Sequence, residues 1–224
     1  MLFRSAAEAA DGVVAVYTAE DLSASGAPGE IEVSGSYPEQ KATTYPLIAG
    51  EKTKYAGEVL AIVVAENRYQ AYDAVDLVDV DYERLDAVTT VEGALAEDAP
   101  VVHEEYDDNL ALDVEYGDAE ATAEAFDDAD HVVSVDVTNQ RLIPNAMEPR
   151  GAVAEIDPED GRLVVHPSTQ GPHRSRDQIA DVLGLEPEDV RVDAPDTGGG
   201  FGSKGGAPYS EVALTAWATL QLET

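Results

Sequence analysis

Val59-Leu60-Ala61-Ile62-Val63-Val64-Ala65, then Asn67, then apolar residues at Ala71, Ala74, Val75 and Val78, is the stretch that decides the fold class. An apolar run without alternation reads as a strand buried on both faces. Asn67 can accept the free N–H groups at a helix start, and the spacing that follows keeps one face of that helix apolar. Leu77 to Tyr82 then alternates apolar and acidic residues, as a half-buried strand does. Strand, helix and strand in this order predict an α/β domain that ends near Val91. Working outward, Val13 to Tyr17 is a short β-type run, and Thr18 is placed to cap a helical turn over Ala19 to Leu22. Ser23 to Gln40, rich in Gly, Ser, Pro and Glu, reads as a loop.

Beyond that domain, residues 93–113 are acidic and poorly periodic, the composition of a linker. Asp118 is placed to cap a helix reaching Phe126, and His131 to Val137 alternates as a strand. Gly151 to Ile156 and Arg162 to His166 flank Asp157-Pro158-Glu159-Asp160-Gly161, with Pro and Gly where a hairpin turn favours them. Pro172 suits the first turn of a helix whose Ile179, Val182 and Leu183 face a core, and Gly184 suits its C-terminal cap. Val190 to Val192 is a short strand running into a glycine cluster, and Ala213 to Thr224 reads as a helix whose pattern is unfinished. The expected division is therefore 1–92, a linker over 93–113, and 114–224.

Composition narrows the function. The 224 residues include 46 acidic and 13 basic ones, a net charge of −33. Nucleic-acid binding is disfavoured, because phosphate neutralisation needs clustered Lys and Arg. A 44% hydrophobic content in periodic blocks argues for a folded chain rather than a disordered one. The acid is uneven: residues 1–140 hold 32 acidic and 6 basic residues, whereas 141–204 hold 12 and 7. A salt-adapted surface and a basic partner both explain it. No cysteine is present, so the chain can hold neither an iron–sulfur cluster nor a thiolate zinc site. No apolar run approaches the ~18 residues needed to span a bilayer, and the N-terminus has no signal-peptide pattern, so a soluble, cytoplasmic protein is expected.

The sharpest local feature is Gly198-Gly199-Gly200-Phe201-Gly202-Ser203-Lys204-Gly205-Gly206. Clustered glycines let backbone N–H groups converge on an anion. Gly200, Gly202 and Gly205 match G-x-G-x-x-G by spacing, but the strand ends too early for a dinucleotide site, and Lys204 lacks the neighbours of a Walker A loop. On pattern alone a surface loop and a ligand loop both remain open. Gln170, in Ser168-Thr169-Gln170, falls where a strand meets a helix N-terminus, a favoured ligand position in α/β folds. Its neutral amide could serve an oxo group or a pterin, and a simple turn role is the alternative. Met147-Glu148-Pro149-Arg150 reads as a structural ion pair. His103, His131, His166 and His173 show no metal-ligand spacing.

Taken in order, several segments resemble the molybdenum hydroxylases, the family of xanthine dehydrogenase, aldehyde oxidase and aerobic carbon monoxide dehydrogenase, and specifically their large subunit. Gly12 to Leu22, Tyr55 to Ala65 and Ala71 to Leu85 look like the family's a/b hammerhead domain. Asn145 to Gly151, Ser168 to Gln170, Leu183 to Leu185, Val190 to Val192 and Gly198 to Lys204 look like the start of its first molybdopterin-binding domain. The resemblance implies an α/β (α+β) hammerhead followed by a truncated cofactor domain. It also implies molybdopterin, or its cytosine dinucleotide, carrying molybdenum, with Gln170 beside the metal's oxo ligand. Gly200, Phe201 and Gly202 would contact the cofactor through their main chain.

By the same resemblance, iron–sulfur clusters and FAD sit on partner subunits, and the whole enzyme is a dimer of heterotrimers. The reaction would be oxidation of an aldehyde-like small molecule or CO with water as oxygen donor. The family's general-base glutamate lies downstream of this chain, so no catalytic residue is assigned within it. Xanthine dehydrogenases place a substrate-binding glutamate after the loop lysine, whereas Lys204 is followed by Gly205, which disfavours a purine. The competing expectation is a freestanding acidic interaction module with a hammerhead-like fold and no redox activity.

Overall fold

The computed structural model describes residues 1–33, 37–140, 142–194, 196–205 and 209–222. Part of the 23–40 loop, Gly206 of the glycine cluster and the last two residues of the C-terminal helical pattern lie outside them.

Along the chain run β1 (Leu2–Phe3), α1 (Ser5–Glu8), β2 (Val13–Thr18), α2 (Ala19–Ala24), β3 (Glu30–Val33), β4 (Thr43–Pro46), β5 (Ala61–Ala65), α3 (Arg68–Val75) and β6 (Asp79–Val80). Then follow α4 (Val91–Ala94), α5 (Ala119–Asp127), β7 (Ala152–Ile156), β8 (Leu163–Pro167), α6 (Pro172–Leu183), β9 (Val190–Val192) and α7 (Ser210–Leu222). Local chemistry explains many boundaries. The Thr18 N–H donates to the Asp21 carboxylate at 2.7 Å, closing the start of α2. The Asn67 side chain accepts from the Tyr69 and Gln70 N–H groups at α3, and Asp118 from Ala121 at α5. Gly184 ends α6 in the left-handed region at φ 69°, which a glycine adopts without Cβ strain.

The first half is built from antiparallel pairs: β1 with β6, β2 with β5, and β3 with β4. Two expectations are corrected here. The strand–helix–strand series β5–α3–β6 does not share one sheet, because β6 pairs with the N-terminal β1 instead of joining the sheet of β5. In addition β5 is half-buried along its length rather than covered on both faces. Residues 23–40 are not all loop either, since Ile31 is buried and anchors β3. The acidic 93–113 stretch folds back on the first half. The Lys41 N–H donates to the Ala111 carbonyl at 2.9 Å, Lys41 pairs with Asp108, and Lys52 with Glu104.

In the second half, β7 and β8 form the expected hairpin across Asp157 to Gly161, where the Gly161 N–H donates to the Asp157 carbonyl at 2.8 Å. A parallel β8–α6–β9 unit completes a three-stranded sheet. Here the continuous apolar run does mark the buried strand: Leu163, Val164 and Val165 are all buried. Helix α7 is apolar around its circumference and correspondingly buried, from Val212 to Thr219.

One apolar core crosses the two halves. It joins Leu22, Ile31, Leu47 and Ile48 to Leu163, Val165, Ile179 and Leu214. Trp217, 2% exposed, sits at the junction. Its ring meets Tyr17 edge-on at 4.9 Å, and its indole N–H donates to Ser25 Oγ at 3.1 Å. The expected strand over 131–137 does not form: Val133 is 91% exposed and Val137 82%. Alternation supplies the faces of a strand, but a strand also needs a hydrogen-bonding neighbour, and none is present among the described residues. Among the described residues no helix is long and apolar enough to cross a membrane.

Candidate functional site

The turn from β8 into α6 and the loop that follows β9 lie against each other, and the contacts between them define the site. Parallel pairing of β8 with β9 brings these two segments to one end of the sheet. Thr169 is buried in the turn; its hydroxyl shares a hydrogen bond of 2.8 Å with Ser175 Oγ, and its carbonyl accepts from Thr197 Oγ1 at 2.8 Å. The Gln170 N–H donates to the Lys204 carbonyl at 2.9 Å. Gln170 Oε1 accepts from the Gly202 N–H at 3.1 Å and from the Lys204 N–H at 3.3 Å.

That arrangement fixes which way the amide faces. A backbone N–H can only donate, so the atom facing Gly202 and Lys204 must be the carbonyl oxygen, and the NH₂ of Gln170 is left directed away from the loop. Gln170 is exposed, and among the described residues its NH₂ has no acceptor. Gly200 is buried directly over this side chain, where a Cβ would collide with the Gln170 amide. The Gly200 and Phe201 N–H groups likewise meet no acceptor among the described residues, whereas the Ser203 N–H and hydroxyl both return to the Gly200 carbonyl. Phe201 holds φ at 52°, and its ring is 73% exposed. A non-glycine residue in the left-handed region is uncommon and costs on the order of 1 kcal/mol. The structure therefore brings Gln170, Gly200, Phe201 and Gly202 together. The Gly202 N–H is taken by Gln170, and the free donors of the other three suit an acceptor-rich, anionic group.

Behind this face lies a pair that sequence reasoning missed. Lys204 is 3% exposed, and its ammonium donates to the Glu148 carbonyl at 2.8 Å and to Glu148 Oε2 at 3.1 Å. The same Oε2 accepts from Ser168 Oγ at 2.8 Å and from the Gly198 N–H at 2.6 Å. The Ser168 hydroxyl, the Gly198 amide and the Lys204 ammonium together hold the Glu148 carboxyl down to about 2. Glu148 is accordingly not paired with Arg150, as its sequence neighbourhood suggested. Arg150 donates instead to Glu211 Oε1 at 2.7 Å and lies 3.8 Å from the centre of the Tyr209 ring. The clue available in the sequence was the coincidence of one lysine with a glycine cluster, which by itself names no partner.

A cavity of about 500 Å³ opens elsewhere, between α5 and residues 131–133, lined mainly by Ala121, Ala125, Phe126, Val132 and Val133. It shares no residue with the loop site. Asp118, Thr122 and His131 add polar groups to this lining. Among the described residues no group of three or more His, Asp or Glu stands together as a metal site.

Residues 2–86 match the family model described as aldehyde oxidase and xanthine dehydrogenase, a/b hammerhead domain, and residues 102–224 match the molybdopterin cofactor-binding domain. The chain is 35% identical to the nicotine 6-hydroxylase large subunit of Paenarthrobacter nicotinovorans, covering 98% of this chain and 26% of that protein. It is also 35% identical to the carbon monoxide dehydrogenase large chain of Afipia carboxidovorans, covering 97% of this chain and 27% of that one. Among solved structures, quinoline 2-oxidoreductase from Pseudomonas putida 86 superposes with a TM-score of 0.87 at 30% identity, over 99% of this chain and 28% of its own. The chain thus spans about a quarter of the length of the relatives it matches.

Proposed function

This chain belongs to the aldehyde oxidase and xanthine dehydrogenase family and carries the molybdopterin cofactor-binding domain of that family; from that premise we propose that it forms part of the molybdopterin cradle of a large oxidoreductase subunit. Gln170, Gly200, Phe201 and Gly202 are the proposed cofactor contacts. The observation that carries the reading is the docking of the Gln170 carbonyl inside the glycine loop, which turns its NH₂ outward as a donor. The residues present fit the group: a glycine over the amide where a Cβ would collide, two backbone N–H groups without an acceptor among the described residues, and one oriented side-chain donor.

When bound, the molybdenum cofactor supplies two-electron redox chemistry that no side chain of this chain can perform. The chain's own part is positional. With the cofactor bound, Gln170 would donate toward an oxo-type acceptor, and the Gly200 and Phe201 amides would meet anionic oxygens. The reaction we propose for the whole enzyme is oxidation of an aldehyde-like small molecule or CO, with water as the oxygen source. Gly205 stands after Lys204 where a purine-binding glutamate would be needed. With no cysteine in the chain, electrons would leave through iron–sulfur and FAD subunits, in a cytoplasmic dimer of heterotrimers. One relative is by name a subunit of a complex, the 6-hydroxypseudooxynicotine dehydrogenase complex. The surface of net charge −33 we read as salt adaptation.

The test is Gln170→Ala in the full-length enzyme. Turnover is expected to fall about 10–100-fold with folding and subunit assembly retained. An unchanged kcat would remove Gln170 from the cofactor site.

A further inference from the structure

The glycine loop leaves and rejoins the body of the protein at one atom. Glu148 Oε2 takes the Gly198 N–H at the start of the loop and the Lys204 ammonium at its end, and the Ser168 hydroxyl ties the same oxygen to the β8–α6 turn. Gly198 closes the first contact in both directions: its carbonyl accepts the Glu148 N–H at 3.3 Å, and a Cβ on it would stand 2.6 Å from that of Glu148. Lys204 closes the second. The backbone of this residue holds Gln170 from both sides, donating to Oε1 and accepting from the Gln170 N–H. Whatever fixes Lys204 therefore fixes the Gln170 amide.

We infer that Glu148 is a positioning residue of the cofactor site: by clasping Gly198 and Lys204 it sets the loop that holds the Gln170 carbonyl inward and its NH₂ outward. The inference deepens the proposed function and rests on it. The ionic character matters because Lys204 is buried. A neutral group at 148 could still accept from the Gly198 amide, but it would leave a desolvated ammonium without its counter-charge, and Lys204 would be driven toward water. The loop end would move with it, releasing the two N–H groups that orient the amide. Arg150 cannot substitute for Lys204, because it is held on Glu211 and Tyr209.

Two measurements on the full-length subunit test this. In protein produced with molybdate withheld, Glu148→Gln is expected to speed amide exchange across residues 198–205 by about tenfold or more, the loss of one charge-assisted hydrogen bond, while β8 keeps its protection. In the cofactor-loaded protein, Glu148→Gln is expected to shift the spectrum of the metal centre toward that of Gln170→Ala, and the double variant is expected to shift it no further. Should Glu148→Gln misfold, the Glu148→Gln/Lys204→Met pair removes the stranded charge and is expected to show the same faster loop exchange. Loop exchange within about twofold of the parent, or a Glu148→Gln spectral change that adds fully to that of Gln170→Ala, overturns the inference. A parent protein that binds no molybdenum cofactor overturns the proposed function instead, and the exchange measurement still decides the clasp.

Discussion

Trp217 is the residue whose removal separates a shared core from two tethered domains. It is 2% exposed, packs edge-on against Tyr17 of β2, and bonds to Ser25 just past α2, although it belongs to α7 near the other end of the chain. Truncating a buried tryptophan to alanine costs about 3–5 kcal/mol, a range that covers lost burial and the cavity left behind. The edge-to-face partner Tyr17 makes the middle of that range a fair figure, since such a pair is worth about 0.5–1.5 kcal/mol beyond its area. A cost of about 4 kcal/mol is a factor of roughly 10³ in an opening equilibrium. With one core, Trp217→Ala is expected to reduce amide protection by about that factor in β2 and β5 as well as in β8 and α6, because these elements open together. Exchange read peptide by peptide by mass spectrometry makes the comparison within one sample. If β2 and β5 keep their protection while β8 and α6 lose theirs, the halves open independently, and the account of a continuous core from Leu22 to Trp217 is wrong.

If the acidic surface is salt-adapted, the thermal midpoint should rise as KCl is taken from dilute buffer to molar concentration, because counter-ions screen the self-repulsion of a chain at −33; a midpoint that falls with salt would mean that pairs such as Lys41–Asp108 outweigh the repulsion. Glu148, held at about 2, should keep the loop clasped in mild acid. Its folded pKa is depressed, so its contribution is complete above the ordinary carboxylate range and fades as pH falls from there through about 2. Exchange of the 198–205 amides, corrected for the intrinsic rate, should therefore stay level from pH 7 to about pH 5, and a loss of protection beginning near pH 6 would contradict the assigned contacts.

Much of the second half was legible in the sequence because its signals are local. Pro172 and Gly184 bracket α6, the turn residues from Asp157 to Gly161 mark a hairpin, and an unbroken apolar run marks β8, the middle strand of its sheet. Gln170 and the glycine loop could be singled out for the same reason: each is a short pattern with a specific backbone requirement. What could not be read is pairing over distance. Glu148 lies two residues from Arg150 and 56 from Lys204, yet it is bound to the lysine. The sequence offers the nearer cation first, and only the fold brings Gly198 and Ser168 to the same carboxylate. The same limit applies to β6. Its alternation suits a parallel partner beside β5 as well as an antiparallel one beside β1, and the choice depends on where Leu2 and Phe3 are delivered. At His131 to Val137 the pattern is present but no neighbour is found among the described residues, so periodicity alone could not tell a strand from an unpaired segment.

That unpaired segment also bears on how the molecule behaves in a crowd. Val133, Val135 and Val137 are all exposed, and among the described residues their backbone groups have no partner, which leaves them open to a strand added by another chain. Only one charged side chain, Asp136, interrupts the stretch between Val132 and Val137. Protection against self-association must then come from the body as a whole, and a charge of −33 keeps neighbouring copies apart over roughly a Debye length. The acidity thus acts as a colloidal barrier as well as a solvated coat, and the two roles respond to salt in opposite directions: ions that consolidate the fold also shorten the distance at which exposed edges can meet.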